Sequence, residues 1–578
     1  MPANRLNKEC DLSEISRPDE DPRFRSTQAI RGTHLNNTTD LPLSRTRILL
    51  VFFVLGAALY FQTLGCPFLW DEYRLILGNA QAGAFDWASL PDLFSQRYFH
   101  LPGSYKDDLP LDLPYYRPVT VLLHGLTYKA VGPFFPVYHL ESIFLHVGNG
   151  LLLFSLFSIL LRRQSAFPKD ESIALAGALL FFVHPRNVET VSIIANQTGL
   201  LCAFFCLLSL VLWARLLEGT RRPLFLYGLS LLAFLSAMLS KETAYGVPLV
   251  HGLVFLLLRP RDKKALMLLT GFFLLPGIPL VARQAFVGGQ SIFAALAKQL
   301  SRQGAGGGYV ASVLGLLFHQ LYAWLIPLRT ELFQYPFSLS ELSVGQILLP
   351  VLVLLLVAWR LRKHRDILVF GCGWFFVFYL PSSNLISIGT LPGGDLKAGA
   401  HHLYPAHAGL CLFLAASILL PLRLSRTGRM RWLALMLLVL LMGVQSFRFT
   451  AHYRSADRFY QTLLERHPGH TGAWTNYGWH KLYIDKDPEA AERILLDGIE
   501  VVEASGNETA RMDFMHNLMV LYLENDHPVE AETMLQCITN PWVVRLKGNI
   551  YFWHVVRRMD RPSESPGDQQ REPPGQGG

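Results

Sequence analysis

Apolar residues in this chain come in blocks, and the polar residues gather between them. The runs from Ile48 to Phe61 and from Ile347 to Trp359 are nearly uninterrupted. A helix crossing a bilayer needs roughly 20 mainly apolar residues, because its backbone groups find no water partners in hydrocarbon. The blocks predict spans near 46–64, 137–161, 172–184, 192–214, 223–239, 243–258, 265–282, 347–359, 367–381, 403–421 and 432–447. The expectation is an all-α polytopic bundle of about 11–13 spans, the higher number applying if residues 283–345 hold a further pair. In that region Gly304–Gly308 reads as a turn, and Val310–Leu328 as interfacial, re-entrant or one of a pair of spans.

Charge orients the blocks. Arg45 and Arg47, Arg162 and Arg163, Arg215 to Arg222, Arg259 to Lys264, Arg360 to Arg365 and Arg423 to Arg431 flank them, and such clusters stay in the cytoplasm. This places an external loop at 65–136 and the C-terminal region outside. Val119–Val131 inside that loop is too short and too polar for a span, so it reads as an amphipathic helix on the outer surface. Residues 1–44 are polar without an apolar period and read as a disordered cytoplasmic tail ahead of a signal anchor.

Composition agrees. Hydrophobic residues make up 51% of the chain, charged residues 17%, and mean hydropathy is +0.27; soluble domains usually carry about 25% charge. The net charge of +8 is taken up by the flanking clusters, which argues against a nucleic-acid partner. The seven cysteines show no metal-ligand spacing, and Cys202 and Cys206 read as packing inside an apolar helix.

After the 45–450 membrane region the pattern turns soluble and helical, giving a 451–560 unit expected outside and a disordered 561–578 tail. Trp474, Tyr477, Gly478, Ala490 and Ile494 fall at the offsets of a tetratricopeptide repeat, and Leu518, Met519, Tyr522, Ala531 and Leu535 repeat them. The two alanines are 41 residues apart, which predicts an enlarged turn around Ser505–Ala510.

Candidate chemistry sits just beyond the first span. Asp71 and Glu72 follow Pro67-Phe68-Leu69-Trp70 and precede Tyr73. Acids partly desolvated among aromatics gain basicity, and such a carboxylate can take a proton from a hydroxyl.

These acids, with several ordered motifs, resemble the GT-C superfamily of glycosyltransferases. The transmembrane and tetratricopeptide-repeat O-mannosyltransferases fit best. The motifs are Tyr116-Arg117-Pro118-Val119, Tyr138-His139-Leu140 with Leu145-His146, His184-Pro185-Arg186-Asn187-Val188-Glu189, Ser240-Lys241-Glu242, Ser383-Asn384-Leu385-Ile386 and Leu403-Tyr404-Pro405. The resemblance implies a polyprenyl-phosphate sugar donor at the outer interface and a protein or glycan acceptor. Asp71 would be the base, and Glu72 would position Asp71 or the acceptor. Arg117, Lys241 and His402 would meet the donor phosphate. His139, His184, Glu189, Glu242 and Tyr404 would line the substrate site. No cofactor is required by these motifs, although some superfamily members use a divalent cation. The adjacent His401 and His402 are expected to diverge, which argues against a metal site. Membrane lipids, and a protein partner on the repeats, complete the expected contacts. A bacterial inner membrane with a periplasmic site is the expected address, or the endoplasmic reticulum in a eukaryote.

Two departures bear on the substrate. Where the family reads Arg-x-Asp-Leu-Leu after the His-Pro motif, this chain has Asn196-Gln197-Thr198-Gly199-Leu200-Leu201, so the acid is absent. Where it has Glu-Arg before the Leu-Tyr motif, this chain has His401-His402. The competing readings are a non-catalytic membrane-anchored repeat scaffold and a flippase for a lipid-linked saccharide. A flippase would need polar residues through several spans, and few are visible.

Overall fold

A computed structural model describes residues 44–77, 85–95, 98, 115–162, 171–259, 261–286, 307–328, 332–333, 335–383, 396–420, 427–506 and 508–536. Both expected tails, residues 304–306, residues 384–386, Arg423, Arg426 and the chain beyond 536 lie outside the described residues, as does the side chain of Leu535.

The fold is an all-α membrane bundle. The described helices are α1 (Arg45–Tyr60), α2 (Leu90–Leu93), α3 (Pro118–Val131), α4 (Phe135–Arg162), α5 (Ser172–Phe182), α6 (Val188–Ser192), α7 (Gln197–Glu218), α8 (Pro223–Met238), α9 (Val247–Leu258), α10 (Lys263–Leu274) and α11 (Gly277–Phe286). They continue as α12 (Gly307–Leu325), α13 (Val344–Arg360), α14 (Arg365–Tyr379), α15 (His407–Leu419), α16 (Thr427–Thr450), α17 (Ala456–Arg466), α18 (Thr471–His480), α19 (Pro488–Ser505), α20 (Glu508–Glu524) and α21 (Pro528–Gln536). One antiparallel ribbon, β1 (Tyr335–Phe337) with β2 (Leu396–Ala398), pairs Tyr335 with Ala398.

Among the described residues, five stretches are long and apolar enough to cross a membrane: Arg45–Gly65, Phe135–Arg162, Ile194–Glu218, Lys263–Phe286 and Met430–Tyr453. Shorter apolar helices pack among them. The outward faces confirm the medium. Leu49, Leu50, Phe53 and Val54 on α1, and Leu348, Leu352, Leu355 and Leu356 on α13, stand exposed in rows that water would not tolerate but lipid solvates. The inner faces of α4, α5, α7 and α15 bury one continuous core. Small residues set its spacing: a Cβ on Gly150 would lie 2.6 Å from Phe52, and one on Gly371 2.4 Å from Phe413.

In the ambiguous region the described residues place α12 and α13 side by side. Leu321, Trp324 and Leu325 of α12 share a crevice with Pro350, Val353 and Val357 of α13, while His319 sits 3.4 Å from Gln346. The two helices therefore run in the same direction. The chain between them must come back, and it does: Leu328 accepts from Gln445, Leu332 from Tyr453, and Phe337 returns to Val313 and Leu316.

The expected surface helix is α3. Thr120, Val121 and His124 face inward, while Leu126, Lys129 and Val131 are exposed.

Helices α17 to α21 form one compact unit with the bundle. Their register corrects the sequence reading. Ala491, not Ala490, is the fully buried alanine, because Asp487 caps the helix at the N–H of Ala490 and fixes its phase. The additional length also lies elsewhere than expected. Helix α19 runs 18 residues and stops at Gly506, whose φ of +67° needs no Cβ, and α20 begins at Glu508. Gly478 lets α18 and α19 touch, since a Cβ there would lie 2.8 Å from Leu495. Gly478→Val should therefore cost about 1–3 kcal/mol of stability, read as a lower melting temperature of the purified protein.

Candidate active site

The site is built where the loop after α1, the α6–α7 break and the α8–α9 break meet. Val119 N–H donates to the Leu239 carbonyl at 3.2 Å, and the Thr120 hydroxyl to the Ser240 carbonyl at 3.2 Å. These bonds bring Arg117 onto Glu242. The pair is bidentate, with Nη2 to Oε2 at 2.7 Å and Nε to Oε1 at 3.1 Å. The guanidinium also lies over Tyr115 at 4.2 Å and Tyr98 at 5.0 Å. Burial works against both charges. For Glu242 the neighbouring Arg117 outweighs it and holds the carboxyl below its usual range; for Arg117, Glu242 does the converse.

Asp71 is half-buried and close enough for its charge to act on Tyr98 and Tyr115. The base candidate and the Arg117–Glu242 pair therefore lie beside the same two tyrosines. Lys241 adds a second cation. Its Nζ lies 3.5 Å from where a Cβ on Gly199 would be, at the first turn of α7. Among the described residues its ammonium has no hydrogen bond or ion pair. Burial, reinforced by the Arg117 charge, pushes it down to about 8.

Glu72 plays a different part from Asp71. Its side chain is enclosed, 1% exposed, and accepts from Leu69 N–H at 2.6 Å, Ile194 N–H at 2.5 Å and Ala195 N–H at 3.3 Å. It staples the acidic loop to the break before α7. Of the two roles expected for it, the geometry fits the positioning of Asp71 and leaves no face for an acceptor. Burial pushes its carboxyl up to about 8, against the three backbone donors that favour the ionised form. The folded-state value thus lies above the ordinary 4.3 or so. The folded chain binds this proton more tightly than the unfolded one, so the group's contribution is full below about pH 4 and is lost as pH rises toward about 8. Melting curves taken across that range should show a slope falling with pH that is flatter in Glu72→Gln.

Glu189 joins the same end of the bundle. Its carboxylate takes Ala400 N–H at 2.7 Å, His401 N–H at 3.2 Å and His401 Nδ1 at 2.6 Å. His401 and His402 do not diverge as expected: the tight turn at Ala400–Leu403 sets their rings 3.9 Å apart. Among the described residues no group of three His, Cys, Asp or Glu is placed to hold a metal ion.

Three residues expected at the substrate face protein instead. His139 donates to the Cys66 carbonyl at 2.9 Å, steadying the start of the acidic loop. His184 stacks on Trp324 and uses both ring nitrogens, one on the Trp324 carbonyl at 3.2 Å and one on Arg186 N–H at 3.2 Å. The Tyr404 hydroxyl lies in the core between His146 Nδ1 at 2.7 Å and Asn149 Nδ2 at 3.1 Å. Gln197 likewise fills a buried network, bonding His124, the Tyr138 carbonyl and Ser142. Sequence reasoning missed Tyr98 and Tyr115, whose signal was only the aromatic content of the loop.

No family model matches the chain. Among curated proteins it is similar to protein O-mannosyl-transferase TMTC4 of Homo sapiens, 36% identical over 139 residues, covering 22% of this chain and 19% of the relative. The Mus musculus protein O-mannosyl-transferase TMTC4 is 35% identical over 140 residues, with 22% and 19% covered. Protein O-mannosyl-transferase Tmtc1 of Drosophila melanogaster is 30% identical over 204 residues, covering 34% of this chain and 21% of the relative. A crystal structure of the Archaeoglobus fulgidus oligosaccharyltransferase, tethered to an acceptor peptide, aligns at a TM-score of 0.39 and 15% identity, over 75% of this chain and 58% of that one. The chain spans about a fifth of the length of the curated relatives it matches first. Its similarity is to protein O-mannosyl-transferases, the family that the ordered motifs resemble.

Proposed function

We propose that this chain is an inverting membrane glycosyltransferase that moves a sugar from a polyprenyl-phosphate donor to a protein or glycan hydroxyl at the non-cytoplasmic face. The observation that supports the reading is the half-buried Asp71 beside the tyrosines that hold Arg117, whose charge reaches Lys241 in turn. The acceptor O–H loses its proton to Asp71 as its oxygen bonds to the anomeric carbon. The bond from that carbon to the phosphate oxygen breaks, and the electron pair leaves with the lipid phosphate. Charge grows on the phosphate as the bond breaks, which is where fixed cations have most effect. Arg117 is already committed to Glu242, so Lys241 is the cation with capacity left, and the half-buried His402 lies near Glu189 on the same side.

The basic clusters flanking the apolar helices support a cytoplasmic side opposite this site and the C-terminal helices. The test is transfer by the purified, lipid-reconstituted chain, with synthetic polyprenyl-phosphate sugars as donors and peptides or glycans as acceptors. It is paired with mass spectrometry of glycoproteins from wild-type and deletion strains. Transfer from the lipid phosphate is expected. Failure with every donor, together with unchanged glycoproteins, would leave the scaffold reading in its place.

A further inference from the structure

Trp70 stands in a backbone conformation that L side chains rarely adopt, with φ at +50°. It is the first central residue of a turn closed by Glu72 N–H on the Leu69 carbonyl at 3.0 Å. Positive φ at that position ordinarily calls for glycine. A strained residue persists only where its surroundings hold it, and such residues cluster at functional sites.

Here the surroundings come from the repeat helices. Trp70 N–H donates to the Tyr460 hydroxyl of α17 at 3.2 Å. The ring packs on His470, which caps α18, at 5.5 Å, and on Phe333 at 4.5 Å. Its far edge lies against Gly472, where a Cβ would come within 2.9 Å. Three residues on, the Tyr73 hydroxyl bonds His480 Nδ1 at the end of α18. Asp71 lies between these two anchored residues.

We propose that Trp70 is a positioning residue for Asp71, and that α17 and α18, by gripping Trp70 and Tyr73, are a working part of the acidic loop. The kinetic half of this inference rests on the transferase reading; the structural half stands without it. Glycine at position 70 would remove the backbone strain and the ring contacts together, leaving the backbone bond to Tyr460. The turn would then keep its hydrogen bond from Glu72 N–H and its backbone bond to Tyr460, but lose the ring packing on His470, Phe333 and Gly472 that fixes its direction.

The experiment uses the full chain in lipid nanodiscs with Trp70→Gly, Trp70→Phe and His470→Ala, read by hydrogen–deuterium exchange and steady-state kinetics. Trp70→Gly is expected to speed exchange of the 69–73 amides about tenfold without lowering the melting temperature. It should also lower kcat about 100-fold while KM for donor and acceptor holds, the pattern of a displaced catalytic group rather than a lost binding contact. Trp70→Phe restores most of both, and His470→Ala falls between. Unchanged exchange in Trp70→Gly and His470→Ala overturns the coupling whatever the activity. Faster exchange with unchanged kcat overturns the positioning role. If the wild-type chain transfers no sugar, the exchange data still decide the coupling, and only the transferase reading fails.

Discussion

Asp71→Asn is expected to lower kcat by about 10²–10⁴ while the protein stays folded and membrane-inserted. The amide matches the carboxylate in size, so the contacts of the half-buried side chain change little. What is lost is the capacity to take a proton. Transfer is measured by mass spectrometry of the acceptor after reaction with a synthetic donor, alongside the melting temperature. Retention of more than about a tenth of wild-type activity would remove Asp71 as the base, since that loss is far below what proton transfer contributes. Loss of transfer in a stable protein removes the scaffold reading instead. The neighbouring acid supplies the control. Glu72 is tied to three backbone N–H groups, so its substitution should appear first in stability and its pH dependence.

The difference between those two acids was not legible in the sequence. Adjacent carboxylates beyond a span look alike until Ile194 and Ala195, more than 120 positions away, are seen to donate to one of them. The same holds for the motif histidines. His184 is bonded to Trp324 and His146 to Tyr404, partners 140 and 258 positions distant. A motif string reports that a polar side chain is needed, but not whether it faces a cleft or a buried carbonyl. Burial makes the second use common, because an unpaired polar group in the core is costly. The spans themselves were legible, since lipid imposes length and composition with little regard to context. The return of the chain after Leu325 was not, because it is fixed by Gln445 and Tyr453 on a distant helix. Trp70 shows the same limit at the scale of one residue: nothing in Leu-Trp-Asp-Glu announces a glycine-like backbone, and only the repeat helices explain how it is held.

Lys241→Met is expected to lower kcat by about 10²–10³, the usual consequence of removing one group that meets developing charge. The sharper test is at Gly199, where the family motif carries an acid and this chain does not. A Cβ there lies 3.5 Å from the Lys241 Nζ with nothing else within contact distance, so Gly199→Asp brings a carboxylate onto the ammonium without a clash. The new acid sits in the first turn of α7, where helix geometry favours it, so the fold should tolerate the change. Lys241 at about 8 is mostly charged at neutral pH and half-buried, and an added acid would raise it and occupy it. If the open cation meets the donor phosphate, Gly199→Asp should lose activity nearly as far as Lys241→Met. The double variant should then be no worse than either, because both remove one interaction. Additive losses would mean that the two positions act separately. Full activity in Gly199→Asp would mean that Lys241 is not the donor's cation, and Arg117, already neutralised by Glu242, would have to serve alone. The glycine would then matter for the room it gives the sugar rather than for the charge it leaves exposed.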